Sequence, residues 1–488
     1  MTGFIPAVPP RRWIACLLSA LLAGTGSVAA SVQAAVPAPA AAEPAAIAAP
    51  RPLPVPAVDE DESARLAEQV RQATRHAWQG YMQHAYGHDD LRPVSGGAFD
   101  WYGQPLLMSP VDALDTLLLM GLDEEAAQAR ELIATRLSFD QDIYVQNFEV
   151  TIRLLGGLLS AYQLTGDDRL LRLADDLGRR LLPVFDSPTG LPYTHVNLRT
   201  GKVRGKVSNP AETGTLLLEF GTLSRLTGKP VYYAKAKRAL EETFKRRSAI
   251  GLVGETIDVE SGQWVSRVSH ISGGIDSYYE YLYKCWKLFG DEDCRRMWEA
   301  SIGPVDRYLA DSVREGELWY GYADMDDGRR VQTHYGALDA FMPALLALAG
   351  DLPRARRLQE SGLRMWQLHG IEPETLDYAS MTVVSPGYAL RPEIVESAYY
   401  LHHYTGDARY RGMGKQFFED FVRATRTPYG FASLKDVRTG EKKDTMHSFL
   451  FAETLKYYYL LFAPAQALDF DAVVFNTEAH PLRRTWQD

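Results

Sequence analysis

One corner recurs six times along this chain. An apolar helix end, a glycine and a polar start occur at Leu164-Thr165-Gly166-Asp167, Leu226-Thr227-Gly228-Lys229, Leu288-Phe289-Gly290-Asp291, Leu348-Ala349-Gly350-Asp351 and Tyr404-Thr405-Gly406-Asp407, with a weaker copy at Met120-Gly121-Leu122-Asp123. Glycine takes the left-handed position that stops a helix, and aspartate caps the next one. The corners lie about 45 to 62 residues apart, which is two helices with their loops. From Asp61 onward apolar residues keep a helical period through about fourteen stretches, the first near 62–86 and the last near 446–462. About seven antiparallel pairs predict a closed toroid, an inner ring of helices wrapped by an outer one. The alternative is an open solenoid, which needs capped terminal repeats.

Connections within a pair are short, whereas the returns between pairs (87–108, 184–210, 250–273, 313–334, 369–391 and 423–445) are long. Long polar loops gathered on one face are where function tends to sit. The last helix is followed by Phe475-Asn476-Thr477-Glu478-Ala479-His480-Pro481. Pro481 argues against further helix, so this compact polar segment is expected to plug one end of the ring.

The 488 residues are 46% hydrophobic and 23% charged, with net charge −10. No basic stripe marks a nucleic-acid binder. Aromatics reach 11%, which suits sugar rings and a large core equally. Arg11-Arg12, an apolar run from Trp13 to Gly24 and small residues up to Ala34 have the order of a secretory signal peptide. The run is too short for a stable membrane anchor. The expected layout is a signal peptide at 1–34, an Ala/Pro-rich linker at 35–60 and one catalytic domain at 61–488. The mature protein is expected to be periplasmic or secreted, monomeric and free of the membrane. Cys285 and Cys294 flank a predicted helix turn. A disulfide and two buried thiols both fit them.

Three acids open successive inner helices. Glu212 follows Asn209-Pro210-Ala211, Asp276 follows Gly273-Gly274-Ile275, and Glu393 follows Arg391-Pro392. Each alone would be a capping or helix-dipole acid. Together they place carboxylates at one mouth of the toroid, where they repel unless a cation or a proton relieves them. Glu149 and Arg153 read as an ordinary i,i+4 ion pair. His88-Asp89-Asp90 and Asp112/Asp115 lie near the first return. His88 and His480 lack zinc-ligand spacing. A hard, oxygen-seeking ion such as calcium suits clustered carboxylates and a threonine better. No phosphate loop, nucleophile elbow or dinucleotide fingerprint is present.

Several motifs, in order, resemble the glycoside hydrolase family 47 α-mannosidases, the class I α-1,2-mannosidases that trim N-glycans in the eukaryotic secretory pathway. They are Tyr86-Gly87-His88-Asp89-Asp90-Leu91-Arg92-Pro93, Asp112-Ala113-Leu114-Asp115-Thr116, Phe148-Glu149-Val150-Thr151-Ile152-Arg153 with Gly156-Gly157, Asp276-Ser277-Tyr278-Tyr279-Glu280-Tyr281, Leu390-Arg391-Pro392-Glu393 with Glu396, and Phe475-Asn476-Thr477-Glu478-Ala479-His480-Pro481. The resemblance implies an all-α (α/α)7 barrel plugged by a C-terminal hairpin-like segment. It implies calcium held through the hydroxyl and carbonyl of Thr477, with its water and sugar hydroxyls supported by Glu396, Glu453 and Glu478. It further implies hydrolysis of terminal α-1,2-linked mannose with inversion. Glu393 matches the general base, Glu212 the general acid and Asp276 a competing acid, while Arg391 and Phe449 match contacts to the bound sugar.

The chain departs from the family pattern at three places. His447 replaces a glutamate before Ser448-Phe449, Ala340 replaces a cysteine before Phe341, and Gly274 stands where relatives carry arginine or leucine. The anchorless signal and the linker suggest a bacterial exported member acting on mannose-containing oligosaccharide. A mannose-binding protein that kept the barrel without turnover is the competing expectation. Another α/α-barrel enzyme, such as a sugar epimerase or uronate lyase, fits the helices but not the motifs.

Overall fold

Helix corners end as their glycines require. In the computed structural model, which describes residues 53–485, Gly166, Gly228, Gly290 and Gly406 sit at φ +66° to +71°. Beyond them, Asp167 caps the amide of Arg169, Asp291 those of Asp293 and Cys294, and Asp351 that of Arg354. The signal peptide and most of the linker lie outside the described residues.

Joining segments that run on through a kink or π-turn, the described chain forms α1 (Glu60–His84), α2 (Met108–Leu119), α3 (Asp123–Arg136), α4 (147–165), α5 (Asp168–Leu181), α6 (210–227), α7 (Pro230–Lys245), α8 (Asp276–Phe289), α9 (Glu292–Tyr308), α10 (338–348), α11 (Leu352–Gln367), α12 (Glu393–Thr405), α13 (Arg409–Thr425) and α14 (450–462). Each even-numbered helix packs antiparallel on its successor, and α14 packs back on α1. The start of α14 also meets α2, so the inner ring closes. This is an (α/α)7 barrel. Inner helices are apolar nearly all round: α8 buries Tyr278, Tyr279, Tyr281, Leu282, Cys285 and Leu288. Outer helices bury one stripe, as α5 does with Leu170, Ala174, Leu177 and Leu181 at helical spacing. Cys285 on α8 and Cys294 on α9 form a disulfide across their turn.

The returns fold into small antiparallel sheets, which the helical reading did not include. Their strands are two to four residues long, too short to show an alternating pattern. Neighbouring returns share sheets. His195–Asn197 pairs with Tyr144–Gln146, Val207–Ser208 with Thr256–Asp258, and His334–Gly336 with Thr375–Asp377. A collar of linked hairpins therefore fixes the end of the barrel at which α4, α6, α8 and α12 begin.

The opposite end receives the C-terminal hairpin, Val473–Phe475 paired with Pro481–Arg483. Its turn reaches inward. Asn476 donates to Ile152 O (2.9 Å) and Glu219 (2.7 Å), and its side-chain oxygen accepts from the amides of Glu478 and His480. Gly156 and Gly157 on α4 make room for it: an added Cβ would lie 2.6 Å from Asn476 Nδ2 at Gly156 and 3.1 Å from His480 Cε1 at Gly157.

The described end of the expected linker, residues 53–58, is anchored to the barrel. Leu53 exchanges backbone hydrogen bonds with the Gln367 side chain, and Val58 is buried. Proline fixes this strap as an extended segment laid over the outer helices, and α1 starts at Glu60.

Candidate active site

The collar opens onto a cavity of about 310 Å³ in the barrel axis, whose lining includes Glu149, Arg153, Glu212, Asp276, Glu280, Arg391, Glu393, Glu396, Phe449, Glu453, Thr477 and Glu478. All nine residues singled out in the sequence for catalysis, sugar contact or metal binding line this one cavity. Helix starts deliver the three acids. Asn209 caps α6 by accepting from the Glu212 amide (2.9 Å), Asp276 is the first residue of α8, and Glu393 the first of α12. Helix N-termini thus point positive ends at the cavity.

Glu212 accepts hydrogen bonds from Gln146 (2.6 Å) and Ser208 (3.2 Å). Burial nevertheless pushes its carboxyl above the usual range, with the Glu149 charge adding to the rise. Burial pushes Asp276 and Glu393 up to about 7, against the amide and hydroxyl of Ser277 for Asp276 and the Arg391 charge for Glu393. Arg391 is clamped by Glu374, with Nη2 at 2.8 Å and Nε at 3.1 Å from Oε2, and lies over the Phe449 ring. The residue before it, Leu390, is held left-handed at φ +65°, its carbonyl gripped by Thr454 at 2.7 Å. Such strain persists only where neighbours enforce it.

On the floor stands Thr477, its amide bonded to the Tyr281 hydroxyl at 3.3 Å. Around it Glu396, Glu453 and Glu478 are all pushed up, first by burial and then by other carboxylates: Glu280 and Glu393 act on Glu396, Glu478 and Glu393 on Glu453, and Asp112 on Glu478. Carboxyl oxygens that resist ionisation together, beside a threonine and without histidine or cysteine, form a donor set for a hard cation such as calcium. Among the described residues, the one group of three His/Cys/Asp/Glu ligand atoms within 4.8 Å is Cys285, Asp291 and Cys294, and those cysteines are bonded to each other. The glutamates therefore do not converge as three direct ligands.

The sequence reading missed two wall residues. Glu149 and Arg153 do pair (2.9 Å), but both face the cavity. Arg153 also bonds Glu478 of the plug and lies between the Trp101 and Phe449 rings. A π-turn at Thr151–Leu155 sets this facing, and a second, Leu450–Thr454, carries Glu453. Such turns cluster at functional sites, yet nothing in composition marks them. Other candidates prove structural. Asp89 holds the first return by accepting from the amides of Trp101, Leu106 and Met108. His88 pairs with Asp100, and His480 sits between Asp112 and Asp115. His447, which replaces the family glutamate, stacks on Phe449 with centroids 5.5 Å apart.

Comparison with known proteins agrees with this architecture. The Glycosyl hydrolase family 47 profile matches residues 73–484. The chain is 38% identical to Alpha-mannosidase I MNS4 of Arabidopsis thaliana, over 88% of this chain and 72% of that protein. It is 37% identical to Mannosyl-oligosaccharide 1,2-alpha-mannosidase MNS1 of the same plant, over 88% and 80%. Among solved structures, the alpha-1,2-mannosidase from Trichoderma reesei superposes with TM-score 0.77 at 28% identity, covering 86% of this chain and 99% of that one. The chain belongs to glycosyl hydrolase family 47 and is a glycoside hydrolase.

Proposed function

We propose that the protein is an exported, calcium-dependent exo-α-1,2-mannosidase that removes terminal α-1,2-linked mannose from high-mannose glycans or oligosaccharides with inversion. The observation that carries this reading is the gathering of Glu212, Asp276 and Glu393 around one blind cavity floored by Thr477, in a family 47 chain. A plugged barrel admits a chain end and not a chain middle, which suits exo-cleavage. The Cys285–Cys294 disulfide suits an oxidising compartment.

Glu393, ionised, takes a proton from a water while the water oxygen bonds the anomeric carbon from the face opposite the leaving group. Glu212, protonated, gives its proton to the glycosidic oxygen as that bond breaks. Inversion needs carboxyls about 6.5–9.5 Å apart, with room for the water. Burial, which raises the Glu212 carboxyl above its usual range, favours the protonated form that role needs. Asp276 is the competing acid, and Glu149 joins the candidates by position. Arg391, fixed by Glu374, and Phe449 hold the reacting sugar. Thr477 would hold calcium, with Glu396, Glu453 and Glu478 supporting its water, and the bound ion would grip sugar hydroxyls and favour a distorted ring.

The test is hydrolysis of α-1,2-linked mannobiose with and without chelator, with the first-formed anomer followed by proton NMR. β-Mannose, released only with calcium, is the expected result. Mannobiose bound but uncut would support a non-hydrolytic mannose-binding protein.

A further inference from the structure

Glu372 is fully buried, and neither of its carboxyl oxygens has a hydrogen-bond partner. It lies in the return after α11, two residues before Glu374, the clamp of Arg391. An ionised carboxylate in that position would carry an uncompensated buried charge, which proteins avoid by neutralising the group. Burial first, and then the charge of Glu393, hold Glu372 far above the ordinary carboxyl range. Glu374 adds to this, and Arg391 opposes it without prevailing. The tyrosines whose titration feels Glu372 are Tyr335, Tyr388 and Tyr458. They are donors at most at neutral pH, and none is a counter-charge. A neutral glutamic acid keeps one O–H to donate.

The other half of the pair is on Glu393. Its Oε2 is buried and also lacks a partner, although the proposed function makes this residue the general base. Glu372 and Glu393 each lie two residues from the Glu374–Arg391 ion pair, which draws their segments together, and a single proton between them would satisfy both orphan groups.

We infer that Glu372 is a positioning residue for the base: as a neutral acid it donates its O–H to Glu393 Oε2, directly or through one buried water. The bond leaves the other oxygen of Glu393 to face the attacking water. It also favours the ionised form of Glu393, because a hydrogen bond to a charged acceptor is stronger than one to a neutral acceptor. No bond of the substrate is touched by Glu372. The inference rests on Glu393 being the base.

Two variants and two readouts test it, on the full chain with calcium present. Glu372→Gln keeps a donor of the same shape, whereas Glu372→Leu removes it. The expected result for Glu372→Leu is a lower kcat at unchanged KM, with the acid limb of the pH profile moved up by about one unit or more. Glu372→Gln should keep that limb near the wild-type position. A structural role alone would change stability and leave the limb in place, and that outcome overturns the inference. The second readout is independent of catalysis. The infrared band of a protonated carboxyl should be weaker in Glu372→Gln than in wild type at pH 7.5. Identical bands would mean an ionised Glu372 and would overturn the inference even if Glu372→Leu did not fold. If instead Glu393→Gln keeps full activity, the base assignment is what fails, and the infrared comparison still reports on Glu372.

Discussion

At the scale of single residues, the chemistry depends on which buried acids hold protons. Asp276 and Glu393 share the cavity wall, and burial lifts both to about 7. Near neutral pH a small bias therefore assigns their charges; the Arg391 charge acts on both, as the largest influence favouring ionisation at Glu393 and behind the Ser277 amide and hydroxyl at Asp276. Glu393→Gln should lower kcat by about 10²–10⁴-fold while leaving the melting temperature unchanged or higher, since it removes a buried charge. The acid can be identified separately. Mannosyl fluoride needs little leaving-group protonation, so loss of the acid should matter much less for it than for mannobiose. Among Glu212→Gln, Asp276→Asn and Glu149→Gln, we expect only Glu212→Gln to lose mannobiose hydrolysis and keep fluoride hydrolysis. Equal losses on both substrates would take the acid role from Glu212. Steady-state kinetics on the two substrates decides.

At the scale of elements, the plug is held by a buried knot whose residues lie outside the cavity lining. Asp115 on α2 accepts from Ser160 on α4 (2.8 Å), from Lys456 on α14 (2.9 Å) and from His480 of the hairpin (2.7 Å), while Lys456 also bonds the Ala479 carbonyl. Burial alone would depress the imidazole, but Asp115 and Asp112 outweigh it and raise His480 to about 9. Removing Asp115 leaves the buried Lys456 without its carboxylate partner and His480 with Asp112 alone, a change that costs roughly 3–5 kcal/mol. Asp115→Ala should lower the melting temperature sharply. Since Thr477 rides on the same turn, calcium affinity should fall with it, as calorimetric titration would show. A normal calcium affinity in a destabilised Asp115→Ala protein would uncouple the plug from the ion site. This knot also shows what the sequence could disclose. The helix pairs were legible because glycine corners and 3.6-residue periodicity are local signals, and the acids because each opens a helix after proline or glycine. The inward turn of Arg153 was not, because a π-turn changes direction without changing composition. Nor was the role of Asp115, whose partners lie up to 365 residues away in sequence.

On the scale of the whole molecule, closing the ring concentrates buried carboxyls along one axis, and that sets a pH dependence opposite to the usual one. Asp276 and Glu393 in the cavity, and Asp339 buried at the start of α10, rise from 3.8, 4.5 and 3.8 respectively to about 7, in each case chiefly through burial. A carboxyl raised on folding binds its proton more tightly in the native state. Its contribution is therefore fully present below the unfolded pKa near 4 and is lost as pH climbs through 7, at roughly 1.4 kcal/mol per group per pH unit in between. Without divalent ions, the melting temperature should fall as pH rises from 5 to 8, the reverse of a protein stabilised by ionised, salt-bridged carboxylates. Calcium should reverse the slope. An ion on Thr477 favours the ionised forms of Glu396, Glu453 and Glu478, so protons and calcium compete, and its affinity should weaken as pH drops from 7.5 to 5.5. Differential scanning calorimetry across this range, with calcium and with chelator, reads both effects. A chelated protein that gains stability from pH 5 to 8 would show that the axis carries its acids ionised without an ion. The cavity would then not need the cation proposed for it.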